Sequence, residues 1–315
     1  MPEISERITQ ADLVSTIAEY QSVPWAILPE RLAELQAILE MRVRGEAVTD
    51  QRILAAIGSS NSTPGAIKYK STAILSLHGS IFQRPNIYTR LGLATSTDEF
   101  GALIDQFAAD DDVSTILIDV NSPGGSTSGV PELASKIHAL GQQKKIVAVA
   151  NTMMASAAYW IGSAATEVVA APSALVGSIG VLTMHVDQSK LLEEFLGIKV
   201  TLISAGKHKV DGNPYEPLSE QARKSIQTLV DDYYDLFVSA VALQRGVSAD
   251  DVRSGFGQGK VVLAAEAARL GMVDRVETME QALLRLSAEA GTRAVSRGSG
   301  HSVSLLEREV EALNY

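Results

Sequence analysis

The feature that most limits the fold is an alternation, through the middle of the chain, between short apolar runs and amphipathic stretches. Ala73-Ile74-Leu75-Ser76-Leu77, Thr115-Ile116-Leu117-Ile118-Asp119-Val120 and Ile146-Val147-Ala148-Val149-Ala150 are nearly continuous apolar runs. That is the pattern of strands covered on both faces. Phe100, Leu103, Ile104 and Phe107 recur at i, i+3, i+4, i+7, and so do Val130, Leu133, Ala134 and Ile137. Such spacing puts one apolar face on a helix. An Ala-rich stretch from Ser156 reads as a further helix. The alternation predicts an α/β core of repeated strand–helix units, a sheet covered by helices.

The flanks read differently. Residues 1–66 are expected to be a small helical N-terminal extension and linker. Pro29 opens a helix with Leu32, Leu35, Ile38 and Leu39 on one face. The preceding apolar run, Val23-Pro24-Trp25-Ala26-Ile27-Leu28, is expected to dock on another surface. Residues 58–65 are rich in Gly, Ser, Asn and Pro and read as the linker. Residues 67–287 form the main domain. Within it, residues 200–203 read as a strand. A long helix is expected over 219–246, N-capped by Ser219, with Ile226, Leu229, Val230, Tyr233 and Phe237 as its stripe. A shorter helix ends at Gly271. Residues 288–315 are expected to be a second linker, over 288–303, and a short acidic helix.

Composition removes several classes of function. The 315 residues include no cysteine, which excludes thiol catalysis, disulfides and cysteine-based metal sites. The five histidines are scattered, with no paired metal-binding motif. No metal or cofactor is expected. The net charge of −10 speaks against a non-specific nucleic-acid binder. The polar N-terminus has no apolar signal core, and no stretch reaches the ~18 apolar residues of a membrane span. The expectation is a protein without a membrane anchor, in the cytoplasm.

Chemistry concentrates where strands end. The run 115–120 leads into Asn121-Ser122-Pro123-Gly124-Gly125-Ser126, a turn able to aim backbone N–H groups into a cleft. Such donors stabilise a developing oxyanion; a plain strand-to-helix turn would look the same. The run 146–150 leads into Met153-Met154-Ala155-Ser156-Ala157-Ala158, a serine among small residues at a helix start. That position suits a nucleophile or a helix cap. Gly177-Ser178-Ile179-Gly180-Val181 suggests a strand pressed against another backbone. In Ser204-Ala205-Gly206-Lys207-His208-Lys209-Val210-Asp211-Gly212-Asn213-Pro214, two lysines sit in what is otherwise a solvated loop.

Taken in order, Asn-Ser-Pro-Gly-Gly-Ser (121–126), Met-Ala-Ser-Ala-Ala-Tyr (154–159), Gly-Ser-Ile-Gly-Val (177–181) and His-Lys-Val-Asp-Gly-Asn-Pro (208–214) resemble the signal peptide peptidase A family of serine peptidases. The likeness is greatest to its branch of lambda-type phage head maturation proteases, to which Pro-Trp-Ala-Ile-Leu-Pro (24–29) is also similar. The resemblance implies a ClpP/crotonase-like fold and a Ser/Lys dyad. Ser156 would be the nucleophile, Lys209 the general base and Ser178 the residue that orients the lysine. Gly124 and Ala157 would be the oxyanion donors, with Gly125 able to share the role. Lys207 competes with Lys209; the residue matching His208 favours Lys209. A triad through His185 is a minor rival.

The resemblance further implies a peptide or protein substrate, such as a capsid scaffold, portal or coat protein, and a homo-oligomer. With only the short stretch after Asp274, the fused scaffold that lambda-type proteases often carry is not expected here. The alternatives are a cellular signal-peptide or quality-control peptidase, a crotonase-like acyl-CoA enzyme, and a non-catalytic assembly protein.

Overall fold

The computed structural model describes Thr16 and residues 23–43 and 65–297. Most of residues 1–22, the proposed linker at 58–64 and the proposed tail helix beyond 297 lie outside the described residues.

Two sheets meet at the site. The larger has eight strands. Its centre is β3 (Thr72–His78), β6 (Thr115–Ser122) and β8 (Lys145–Ala155), all parallel. β2 (Ala66–Tyr69) adds antiparallel to β3. Past β8 the sheet divides. The first part of β8 pairs with β9 (Glu167–Ala170), which carries β12 (Arg275–Val276). The end of β8 pairs with β10 (Leu175–Gly177), which carries β11 (Val261–Leu263) antiparallel.

The smaller sheet has the order β1 (Trp25–Ile27), β7 (Gly124–Ser126), β4 (Ser80–Phe82), β5 (Ala94–Ser96). The chain passes twice from the large sheet to the small one, from β3 to β4 and from β6 to β7.

The period of two along each central strand decides what covers it. Ile116, Ile118, Ile146 and Ala148 face a core with Phe100 and Ile104 of α3 (Thr97–Ala108), and Leu133 and Ile137 of α4 (Val130–Gly141). α2 is the short helix Ile87–Arg90. Leu117, Val147 and Val149 face the other way and are covered by Ala282 and Leu286 of α9 (Met279–Arg297). The double cover is what the unbroken apolar runs predicted. α9 also corrects the sequence reading, which placed a linker over 288–303. Residues 288–297 continue the helix, and Glu289 reaches back to Lys145 at 2.6 Å and to Arg285 at 3.2 Å.

α6 (Glu220–Arg245) begins as expected, with Ser219 accepting from the Ala222 N–H at 3.1 Å. Its second half packs most deeply: Phe237, Val238, Val241 and Ala242 are buried, whereas in the first half Ala222 is buried but Leu229 of the expected stripe is 47% exposed. Phe237 stacks on Trp160 of α5 (Ala157–Gly162), with ring centroids 4.5 Å apart. α7 (Ala249–Gly255) and α8 (Ala264–Arg269) lie between α6 and α9, and Gly271 follows α8 at φ +79.

Two further readings change. Residues 200–203 form no strand. The apolar run finds no ladder partner among the described residues, and Ile203 is 97% exposed. The N-terminal segment is not purely helical. α1 (Pro29–Val43) forms, but residues 25–27 before it are a strand of the small sheet. Trp25, Ile27, Leu32, Leu35 and Ile38 pack with Phe82, Tyr88 and Leu93 as a second core.

Candidate active site

An irregularity in the sheet builds the site. β6 and β8 run in register from Thr115↔Lys145 to Val120↔Ala150, then slip, so that Asn121 faces Met153. A bulge of this kind bends strand ends and re-aims the residues beyond them. On β6 those residues are Pro123 and Gly124; on β8 the residue is Ser156.

Ser156 has φ +56 and ψ −120, a backbone conformation that L-residues resist. Holding a non-glycine residue there costs about 1–3 kcal/mol and is found where the surroundings over-determine it. Here the clamp is the Ser156 N–H, which donates to the Gly177 carbonyl at 2.7 Å, and α5, which starts at the next residue. A sharp strand-to-helix turn presents a nucleophile in this manner. The hydroxyl makes no capping bond to α5; its partner is the Gly180 carbonyl at 3.4 Å. The helix-cap reading of Ser156 is therefore wrong, and the oxygen is not committed to holding the helix. Ser156 is 1% exposed.

Gly124 lies against this serine. A Cβ at Gly124 would stand 2.9 Å from the Ser156 Cβ and 2.1 Å from the Ala26 carbonyl oxygen, at a φ of +98 that favours glycine in any case. Its N–H donates to the Ser122 Oγ at 3.2 Å. Gly125 pairs with Ala26 on one side and Ile81 on the other, so two ladders engage its backbone. Ala157 opens α5, where the first N–H groups have no acceptor within the helix. Ser178 is buried with φ +54, and its N–H donates to the Lys260 carbonyl at 2.9 Å. Ser156, Gly124, Ala157 and the 177–180 turn thus converge.

The lysines stand apart. Lys207 and Lys209 are exposed on a turn-rich stretch, where the Lys209 N–H donates to the Gly206 carbonyl at 3.2 Å. Among the described residues no hydrogen bond joins Lys209 to Ser156 or Ser178. The turn is nonetheless held. His208 Nδ1 lies 2.8 Å from Asp211, which also accepts from Ser225 of α6 at 3.1 Å. The His208 contact, with help from Ser225 and Gln221, keeps the Asp211 carboxyl below its ordinary range. His185 Nε2 lies 3.0 Å from the Asn213 carbonyl, so that ring braces the lysine turn.

Around this stretch Met184, Val186, Leu191, Phe195, Leu196, Ile198 and Leu202 are exposed, Phe195 at 78%. Among the described residues no cluster of His, Asp and Glu suits a metal, and no helix is long and apolar enough to cross a membrane.

Beneath the site, Tyr159 of α5 donates to the Met272 carbonyl at 2.9 Å, and burial pushes its phenol well above the ordinary range. Arg245 grips Asp274 with two bonds of 2.6 and 3.1 Å and donates to the Gly271 carbonyl. Burial acts to raise the Asp274 carboxyl. Arg245 and the Val168 N–H outweigh it and leave the group below its ordinary range.

The profile of peptidase family S49 matches residues 138–293, which carry Ser156, Ser178 and both lysines on the geometry just described. Over those residues the chain is similar to peptidase family S49. Its mixed α/β architecture, with parallel strands alternating with helices, is the ClpP/crotonase-like arrangement of S49. Among similar proteins is capsid assembly protease C of Escherichia phage lambda, 30% identical over 83% of this chain and 62% of its own length. A protein of Methanocaldococcus jannaschii, provisionally named a protease, is 35% identical over 58% of each chain. The head-tail preconnector protein GP5 of Enterobacteria phage P21 is 34% identical over 57% of this chain and 36% of its own. The chain thus spans less than two thirds of the length of these relatives.

Sequence reasoning missed two participants. Ser122 holds the Gly124 N–H; a serine two residues before a glycine in a turn was the available signal. Ala26 lies in the apolar run expected to dock, but nothing local said that it docks beside Gly124.

Proposed function

We propose that this chain is a serine endopeptidase of the S49 type with Ser156 as nucleophile and Lys209 as general base. The observation that carries the reading is Ser156: a strained strand-to-helix turn, a hydroxyl not spent on capping, and Gly124 against its Cβ. Ser156 Oγ attacks the scissile carbonyl, and its proton passes to the lysine amine and then to the leaving amine. The N–H groups of Gly124 and Ala157 receive the oxyanion. Gly124 exchanges the Ser122 hydroxyl for the charged oxygen, a stronger acceptor. Ser178 orients the lysine.

A lysine base must be uncharged, which needs a water-poor setting without an anionic partner. Lys209 is exposed on the single chain, and the stretch before it in sequence carries exposed apolar side chains of the kind that mark interaction sites. This supports a dyad completed between copies: Ser156 of one meets Lys209 of the next. The test mixes two inactive variants, Ser156→Ala and Lys209→Ala, under exchange conditions. A dyad formed between copies regains peptidase activity in mixed assemblies. A mixture that stays inactive, from variants shown to co-assemble, overturns it.

The likeness to the lambda protein over 83% of this chain supports a capsid maturation role, with scaffold, portal or coat protein as substrate. The archaeal relative supports the alternative of a cellular peptidase. Co-expression of wild type and Ser156→Ala with the neighbouring genes, read by mass spectrometry of fragments, separates the two. Capsid-protein fragments made only by wild type support the first reading.

A further inference from the structure

The small sheet ends in a strand from a distant part of the chain, and that strand lies beside the nucleophile. β7 has β4 on one edge; its other edge is covered by β1, antiparallel, with Ile27↔Gly124, Ala26↔Gly125 and Trp25↔Ser126. Two bonds extend the ladder: Leu28 N–H to the Pro123 carbonyl at 3.1 Å, and Thr127 N–H to the Pro24 carbonyl at 3.1 Å. The second edge of β1 is also bound. Trp25 and Leu182 exchange both backbone bonds, at 2.7 and 2.8 Å, just beyond the Ser178–Gly180 turn. Residues 24–28 therefore bridge the two rims of the site as an extended peptide, with the Ala26 carbonyl oxygen and the Ser156 Cβ converging on Gly124. Ser156 is almost wholly buried in this state.

An open sheet edge is the usual receptor for an extended peptide. Main-chain bonds supply affinity, and alternate side chains supply selectivity. We propose that residues 24–28 are a built-in occupant of the peptide-binding groove, so that the chain as folded is self-blocked. The inference rests on Ser156 as the reacting group.

The occupant also defines the class of peptide the groove takes: extended, uncharged and apolar, with a small residue at the centre. Trp25 and Ile27 point into the core built with α1 and Phe82, while Ala26 points into the main core. Ala26 is fully buried in that core, so a side chain larger than alanine at the central position must displace apolar neighbours. A competing peptide must displace a strand anchored by Trp25 on Phe82, ring centroids 5.7 Å apart.

The absence of native cysteines makes a direct test possible. Hydrogen-bonded antiparallel partners have Cα atoms ~5.5 Å apart, within disulfide reach. Trp25→Cys with Leu182→Cys should lock β1 when oxidised and free it when reduced, in one and the same protein. Ala26→Pro removes a ladder donor and should loosen β1 in the full chain. Covalent labelling of Ser156 by a fluorophosphonate should be at least ~10-fold slower in the oxidised than in the reduced pair. Ala26→Pro should label faster than wild type.

A fluorescent peptide of sequence 23–30, followed by anisotropy in the Ser156→Ala background, reads the groove without catalysis. It should bind the reduced pair and not the oxidised one. Equal labelling in both redox states, with equal peptide binding, overturns the proposal. Labelling that depends on redox state but is indifferent to Lys209→Ala leaves the occupant standing and refutes the dyad instead.

Discussion

At the residue scale, Ser156 carries both strain and chemistry, and the two separate by substitution. Ser156→Ala keeps the strained φ and should abolish peptide cleavage with little change in thermal midpoint. Ser156→Gly is equally inactive. It relieves about 1–3 kcal/mol of strain against up to ~1 kcal/mol of added unfolded-state entropy. It should therefore unfold no earlier than Ser156→Ala by calorimetry, and an earlier transition would refute the strain. The lysines separate too. Lys209→Ala should lower kcat by at least ~100-fold, in the range of a lost general base, while Lys207→Ala retains most of it. The opposite outcome transfers the base to Lys207.

At the element scale, α5 is held from below by α6 and by the turn after α8. Phe237→Ala removes the ring stacked on Trp160 and should cost about 3–5 kcal/mol in chemical denaturation, as for other buried aromatics. Arg245→Ala leaves Asp274 without its cation. The loss should be on the order of 2 kcal/mol, less than for a fully buried pair because Asp274 is half exposed. The Asp274 carboxyl is lowered in the folded state. Its contribution is thus complete above the unfolded value of ~3.9 and disappears as pH falls through the lower folded value. The thermal midpoint of wild type should accordingly fall more steeply below about pH 4 than that of Asp274→Asn. Parallel curves would show that the pair adds nothing.

At the scale of the whole molecule, the exposed apolar side chains around residues 184–203 are the feature a lone chain explains least. Phe195→Glu should weaken self-association by analytical ultracentrifugation and lower activity together, with an unchanged circular dichroism spectrum. Full activity from a monomeric Phe195→Glu protein would show that one chain suffices.

Local pattern was enough to dictate the α/β core, because a strand covered on both faces must be apolar at every position, as in 115–120 and 146–150, and a helix on its face must repeat every 3.6 residues. It also marked the site segments, since strand ends rich in Gly, Ser and Ala are a local property. The partners those segments meet were settled by the folded chain alone. The slip after Val120, the bond from Ser156 to Gly177 and the seating of residues 24–28 on β7 all join residues far apart in the chain, for which no local pattern exists. The unformed strand at 200–203 and the exposure of Leu229 on α6 have the same cause: an apolar residue states that it will be buried, but not against which partner.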